Sequence, residues 1–215
     1  EMLGVDEMED IEGTQADGIL GMAPSVSSGE NAELLVQKLY EAGIISENAF
    51  GVNYKDTDST SKIILGGYDS SVVTNSSLFT YTSLRDTYYW SLDLKATSYG
   101  GEDLGLDAER AILDTGTSLT YWSSDDWNII YSKITDGKDC GYLSNGFRAC
   151  YWDSEDDFED ISFQFGSYVY YFPKSTWIEF REGVANNTWE FYIDSISVNF
   201  GTPSILVGDS FLRNY

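Results

Sequence analysis

The 215-residue sequence contains no histidine. That excludes histidine-based catalytic triads, histidine general bases and most zinc sites. Cysteine is scarce: Cys140 and Cys150 are too few for a disulfide scaffold. The pair fits either one local bridge in an oxidising compartment or two buried thiols in a reducing one. The intervening Gly-Tyr-Leu-Ser-Asn-Gly reads as a turn and favours the bridge. Basic residues are few, 12 against 36 acidic, for a formal net charge of −24. Nucleic acid and anionic lipid would repel such a chain, which sets both aside as partners. No apolar run is long enough to span a membrane, and no signal peptide is visible at Glu1. Much of the charge would titrate away near about pH 4, where Asp and Glu are half protonated, so an acidic working compartment fits the composition.

What chemistry there is concentrates in Ala111-Ile112-Leu113-Asp114-Thr115-Gly116-Thr117-Ser118. This string reads as a buried strand that ends abruptly and delivers one carboxylate to a tight turn. Gly116 would let the backbone turn sharply or let another backbone come close. Thr115, Thr117 and Ser118 put three hydroxyls beside the carboxylate, able to hold its orientation. Asp before Thr-Gly is by itself ordinary turn chemistry. The extended apolar-apolar-Asp-Thr-Gly-Thr-Ser string is far more specific and makes Asp114 a candidate catalytic group.

Ahead of it, residues 16–24 read as a short buried strand between glycines that permit close backbone approach. Residues 27–43 predict a helix, with Leu35, Val36, Leu39 and Tyr40 at helical spacing and Gly43 as its C-terminal cap. Phe50, Val52 and Tyr54 then alternate with polar or small residues, and with 62–67 they predict a hairpin. Residues 69–77 are polar enough to link two halves. Residues 78–84 and the series Trp90, Leu92, Leu94, Ala96 are further strand signals.

Behind it, residues 123–137 predict a second helix, with Trp127, Ile130, Tyr131 and Ile134 on one face. Ser123 is its N-cap, and Asp125 and Asp126 suit the positive end of its dipole, so both carboxylates read as helix chemistry. The acidic run 153–160 lacks the ligand alternation and glycine of an EF-hand loop; it reads as solvated, and no metal site is expected. Ile161, Phe163 and Phe165 alternate up to a Gly166-Ser167 turn, 168–173 return as a strand, and Trp189, Phe191 and Ile193 alternate again. These aromatics suit strand faces, not a base-stacking platform. Leu206-Val207-Gly208 repeats the apolar-apolar-Gly theme of Ile19-Leu20-Gly21, a hint of internal duplication. Asn75-Ser76-Ser77 and Asn186-Asn187-Thr188 match the glycosylation sequon.

Six stretches, taken in order, resemble the motifs of the pepsin-like aspartic proteases. They are Asp17-Gly18-Ile19-Leu20-Gly21, Ile64-Leu65-Gly66-Gly67-Tyr68-Asp69, Tyr89-Trp90-Ser91-Leu92-Asp93-Leu94, residues 111–118, Phe158-Glu159-Asp160-Ile161 through Phe172-Pro173, and Leu206-Val207-Gly208-Asp209 through Arg213-Asn214-Tyr215. Glu159 stands where the family usually has Pro. The resemblance implies a mostly β, bilobal acid-protease fold. Residues 1–84 would be the back part of the N-terminal lobe and the inter-lobe region, and 85–215 the C-terminal lobe. Asp114 would be the second of two catalytic Asp residues. Thr115 would brace the lobe interface, and Gly116, Thr117 and Ser118 would line the cleft. Leu206, Val207 and Gly208 would pack against the Asp114 loop, as Ile19-Leu20-Gly21 would against a first-lobe motif.

No second Asp-Thr-Gly or Asp-Ser-Gly occurs in the sequence. The family's flap hairpin and its last strands are missing as well, so the expectation is a fold truncated at both ends, an internal portion of a longer enzyme or a truncated product. Its first partner would be the missing N-terminal portion of its own lobe. The implied reaction is peptide-bond hydrolysis: one deprotonated carboxylate activates water and a second, protonated one donates to the carbonyl oxygen. That needs no cofactor, takes peptide or protein substrates, and belongs in the secretory pathway, outside the cell or in an acidic vacuole-like compartment. The alternative is a pepsin-fold binding or inhibitor protein without catalysis. An intact upstream Asp-Thr/Ser-Gly would argue for the enzyme and a substituted one for the binder. A generic secreted β-sandwich module fits the aromatics but not the ordered motifs, and a homodimeric protease would not carry residues 1–84.

Overall fold

A computed structural model describes residues 18–24, 33–54, 61–73, 75, 79–182 and 187–215. The first helix, α1 (Leu35–Glu41), carries the apolar spacing expected of it; the earlier residues 27–32 of the expected helix lie outside the described residues. It ends where Gly43 takes φ 67°, with Gly43 N–H donating to Tyr40 O at 2.9 Å and Ile44 N–H to Leu39 O at 2.9 Å. That pair of bonds satisfies the helix's last carbonyls, and only glycine adopts the required conformation without strain. A hairpin of β1 (Phe50–Asn53) and β2 (Lys62–Leu65) follows, antiparallel with Phe50 opposite Leu65.

Two expectations fail in this first part. Ile19 and Leu20 are not a buried strand: they are 83% and 64% exposed, and a Cβ added to Gly18 or Gly21 would meet nothing within 4 Å. Residues 79–84 form no strand either. Phe79 stacks on Tyr68 with ring centroids 4.7 Å apart, and Tyr81 meets Phe79 edge-on, so aromatic contacts take the place of a ladder.

From residue 91 the chain builds a core. In order come β3 (Ser91–Tyr99), β4 (Glu102–Asp103), β5 (Arg110–Leu113), β6 (Thr120–Trp122), α2 (Ser124–Ile134), β7 (Asp139–Tyr142) and β8 (Arg148–Tyr151). A 3₁₀ turn at Glu155–Asp157 leads to β9 (Ile161–Phe165), β10 (Tyr168–Phe172), α3 (Lys174–Trp177), β11 (Ile178–Arg181), β12 (Thr188–Phe191), β13 (Ile193–Ser195), β14 (Ser204–Val207) and α4 (Asp209–Leu212). The main sheet runs β10-β9-β3-β5-β14-β6-β13, with β4 beside β3; a second sheet runs β11-β12-β8-β7. Trp122, Trp127, Phe158, Phe163, Trp177 and Phe191, all buried, belong to one core cluster. Every buried residue among the described ones lies at Ser91 or beyond.

Simple alternation fails at several strands, among them β3 and β12. In β3 the register with β9 shifts between Leu94 and Ala96, a bulge that resets which side chains face inward. Thr97 is buried there and Ala96 only half-buried. In β12 Thr188 and Glu190 are buried as well as Phe191, and Trp189 is half-buried. Glu190 tolerates burial because the Arg181 guanidinium grips it with two 2.6 Å bonds.

Ser123 caps α2 as expected, accepting from Asp126 N–H at 3.2 Å. Asp126 itself departs from its expected role. It is 1% exposed, and its carboxylate accepts the backbone N–H groups of Asp107 (2.7 Å) and Ala108 (3.0 Å), tying the loop before β5 to the helix. Burial pushes its pKa up against the pull of those donors. Cys140 and Cys150 are directly opposed on β7 and β8 and form the bridge. Closing that ten-residue separation contributes about 3 kcal/mol on a chain-entropy account.

Candidate active site

β5 is buried over Arg110, Ala111 and Ile112 and then stops. Its continuation, 114–119, does not return to a neighbouring strand. It crosses to β6, while β14 lies between β5 and β6, parallel to the first and antiparallel to the second. Asp114 N–H donates to Val207 O at 2.9 Å, extending the β5–β14 ladder by one residue and holding Asp114 at the strand's end. The chain leaving β14 passes close under the crossing connection. A Cβ added to Gly208 would sit 2.2 Å from Leu119 O and 2.3 Å from Thr117 O. Asp209 N–H donates to Thr117 O (2.8 Å) and Ser210 N–H to Ser118 O (3.0 Å), so the two loops are stitched together.

Within this frame the Asp114 carboxylate is held from both sides. Gly116 N–H donates to Oδ1 at 2.9 Å, and the Thr117 hydroxyl donates to Oδ2 at 2.6 Å. Of the three hydroxyls expected beside the carboxylate, Thr117 supplies the bond; Thr115 and Ser118 are exposed. Gly116 has no left-handed φ. Its value is room, since an added Cβ would press to 3.3 Å from Asp114 Oδ1. Asp114 is half-buried and faces a cavity of about 510 Å³ lined by Met22, Phe50, Trp90, Ile112, Leu206 and Leu212 among others. The Trp90 indole donates to Met22 O at 2.7 Å and packs edge-on against Phe50, which brings three distant segments beside the carboxylate.

Two supporting groups were given no part in the site by the sequence reading. Tyr54 donates its hydroxyl to Asp209 Oδ1 at 2.6 Å across 155 positions. Burial, then that bond, pushes its phenol pKa well up. Asp86 gathers the N–H groups of Tyr88 and Tyr89, the Ser91 hydroxyl and the Arg110 guanidinium, at 2.6–3.1 Å. Arg110 also binds Ser204 Oγ and Phe200 O, so the hub joins the starts of β3, β5 and β14. Neither role follows from a local repeat: the Tyr54 bond spans 155 positions, and Asp86 joins three near donors to Arg110, 24 positions on.

Burial pushes Asp86 up, but its donors outweigh burial and hold it down to about 2, from an ordinary 3.8. The stabilisation from a depressed carboxylate is complete above the ordinary value and is lost as pH falls through the depressed one. The hub therefore keeps its charge in acid that neutralises most carboxylates. The expected result is that the stability advantage of the native chain over Asp86→Asn, measured by urea unfolding, is full at about pH 5 and shrinks toward about pH 2. An advantage unchanged across that range would mean the charge is not what holds the hub.

Comparison with known proteins gives the context. A family profile described as eukaryotic aspartyl protease matches residues 4–215. The chain belongs to the eukaryotic aspartyl proteases. It is 32% identical to pepsin A of Bos taurus over 202 residues, covering 93% of this chain and 52% of that protein. Against pepsin A of Sus scrofa the identity is 30%, with 93% and 50% covered. Vacuolar protease A of Neurospora crassa is 27% identical, with 93% and 48% covered. The chain thus spans about half the length of the curated relatives it matches. The strand-rich architecture is that of the pepsin-like fold.

Within that family the chain departs from the usual pattern at Glu159. Its N–H donates to the Tyr99 hydroxyl at 3.1 Å, a bond that proline, lacking the donor, could not make. Asn75 is exposed, and the second sequon asparagine, Asn186, lies outside the described residues, as does Asp17. Among the described residues no group of three or more His, Cys, Asp or Glu is placed to hold a metal ion. No described helix is long and apolar enough to cross a membrane.

Proposed function

We propose that this chain is the part of an aspartic endopeptidase that presents the second catalytic carboxylate, Asp114. The observation that carries the reading is the Asp114 turn: a half-buried carboxylate gripped by Gly116 N–H and the Thr117 hydroxyl and aimed at a cavity. Residues 1–84 act as the back of an N-terminal lobe and 85–215 as the C-terminal lobe. The reaction needs a second carboxylate within a few Å, so that one can activate water while the other holds the shared proton. This sequence has a single Asp-Thr-Gly, so the partner Asp comes from sequence outside these 215 residues. Substrates are peptides or proteins. The Cys140–Cys150 bridge fits an oxidising, secretory-pathway setting, and one relative is by name a vacuolar enzyme.

Purified residues 1–215 are accordingly expected to leave a denatured protein substrate uncut across acidic pH. The complete enzyme should cut it and be blocked by a hydroxyl-bearing peptide mimic of the tetrahedral intermediate. Mimic-sensitive hydrolysis by 1–215 alone, lost in Asp114→Asn, would mean that two chains pair or that another carboxylate completes the site. A complete protein that binds the mimic but never cuts would favour a non-catalytic pepsin-fold binding protein.

A further inference from the structure

We propose that Tyr54 is a positioning residue for Asp114, acting through Asp209; the role in turnover rests on the endopeptidase reading above. The chain of bonds is continuous. The Tyr54 hydroxyl donates to Asp209 Oδ1 at 2.6 Å. Asp209 N–H donates to Thr117 O at 2.8 Å, Thr117 N–H to Asp114 O at 3.2 Å, and the Thr117 hydroxyl to Asp114 Oδ2 at 2.6 Å. Two residues, Asp209 and Thr117, thus connect a side chain just past β1 to the Asp114 carboxylate.

The geometry at Asp209 explains why an outside donor matters there. Asp209 is the first residue of α4, a helix of four residues capped by Gly208 without any side-chain bond. So short a helix has little stability of its own. Its start must nevertheless stay fixed, because the same residue holds Thr117 O. The charged carboxylate accepting from a phenol is a strong, directional bond, and it anchors the Asp209 side chain while the backbone N–H holds Thr117 O. Arg213 adds no competing grip on the carboxylate, since its Nε donates to Asp209 O in the backbone, at 3.2 Å. The groups facing the Tyr54 hydroxyl are therefore Asp209 and, at longer range, Asp114 and Arg213. Tyr54 also gives residues 50–54 a direct polar tie to the loop system of the C-terminal part, beyond the apolar contact of Phe50 with Trp90.

The test uses the complete enzyme and five variants. Tyr54→Phe removes only the hydroxyl and keeps the ring. It is expected to lower kcat about tenfold, the rate equivalent of one charge-assisted hydrogen bond, with KM held within about twofold. Hydrogen exchange at the Asp209 amide should speed up by about tenfold in the same variant, with the unfolding midpoint little changed. Asp209→Asn keeps an oxygen that can accept from Tyr54 but loses the charge, so it should lose less of kcat than Tyr54→Phe does. Asp209→Ala should match Tyr54→Phe, and the double variant should be no worse than either single one, because the residues act as one unit. Unchanged kcat and exchange in Tyr54→Phe would overturn the proposal, as would additive losses in the double variant. If Asp209→Ala does not fold, Tyr54→Phe and Asp209→Asn still decide. Full turnover in Asp114→Asn would sink the endopeptidase reading, and the exchange measurement would still settle whether Tyr54 pins the turn.

Discussion

Asp114→Asn in the complete enzyme is expected to lower kcat by roughly 10³–10⁴-fold, the scale of a lost general acid–base group. An amide neither takes nor gives the catalytic proton. The same substitution should be structurally mild. The Asn oxygen can accept from Gly116 N–H in place of Asp114 Oδ1. The Asn NH₂ then faces the Thr117 hydroxyl, which now donates to Oδ2 but can rotate to accept instead. The expected stability cost is under about 1 kcal/mol, a shift of roughly 2–4 °C in Tm for a chain of this size. Asp125→Asn, on the exposed first turn of α2, is the control and should leave turnover unchanged. Turnover of Asp114→Asn within a few-fold of the native enzyme would remove Asp114 from the chemistry. A fall in both activity and Tm would leave the acid–base role unproved and point to a structural one.

Gly208→Ala should be the most destabilising single methyl that can be added to this chain at a described glycine. The φ of Gly208, −99°, is one that any residue adopts, so backbone preference is not the cause. Contact is the cause: the new Cβ would stand 2.2 and 2.3 Å from two carbonyl oxygens, well inside van der Waals distance. Those oxygens belong to the connection that crosses β14. One of them, Thr117 O, already accepts from Asp209 N–H, so it cannot retreat without breaking the stitch beneath Asp114. A loss of at least about 4 kcal/mol is expected, in the range reserved for severe overpacking. Gly21→Ala in the echoing Ile19-Leu20-Gly21 segment has open space around the new methyl and should stay within about 0.5 kcal/mol in the 215-residue chain. Denaturant unfolding of both variants checks the contrast. Equal effects at the two positions would refute the threaded arrangement around Gly208.

Much of this was open to reading because it is local. The α2 face of Trp127, Ile130 and Ile134 repeats at 3.6 residues, and β9 repeats at two through Ile161, Phe163 and Phe165; both follow from backbone geometry alone. The turn at Gly166, with φ 59°, and the stop at Gly43 follow from glycine's freedom at positive φ. Reading failed wherever a distant element intervened. The bulge in β3 depends on its register with β9, some 65 positions on, and puts Thr97 inside. Glu190 can be buried only because Arg181 reaches it from the neighbouring strand β11. Asp126, an acid at a helix start, read as a partner of the helix dipole; the loop at 107–108 donates two N–H groups to it and makes it a buried clamp.

The sequence by itself determined that Asp114 ends a buried strand in a hydroxyl-rich turn, that the cysteines can bridge across a short turn, and, through its ordered motifs, that the chain is of the pepsin-like kind. Each of these lies within about a dozen adjacent residues or in a string of recognisable ones. Only the tertiary structure decided what holds that carboxylate in place. Strand β14 arrives between β5 and β6 from some ninety residues away, Gly208 slips beneath the crossing loop, and Tyr54 reaches Asp209 across 155 positions. Such contacts depend on how strands are ordered in a sheet, and that order is set by the packing of the whole core, which no local pattern of residues encodes.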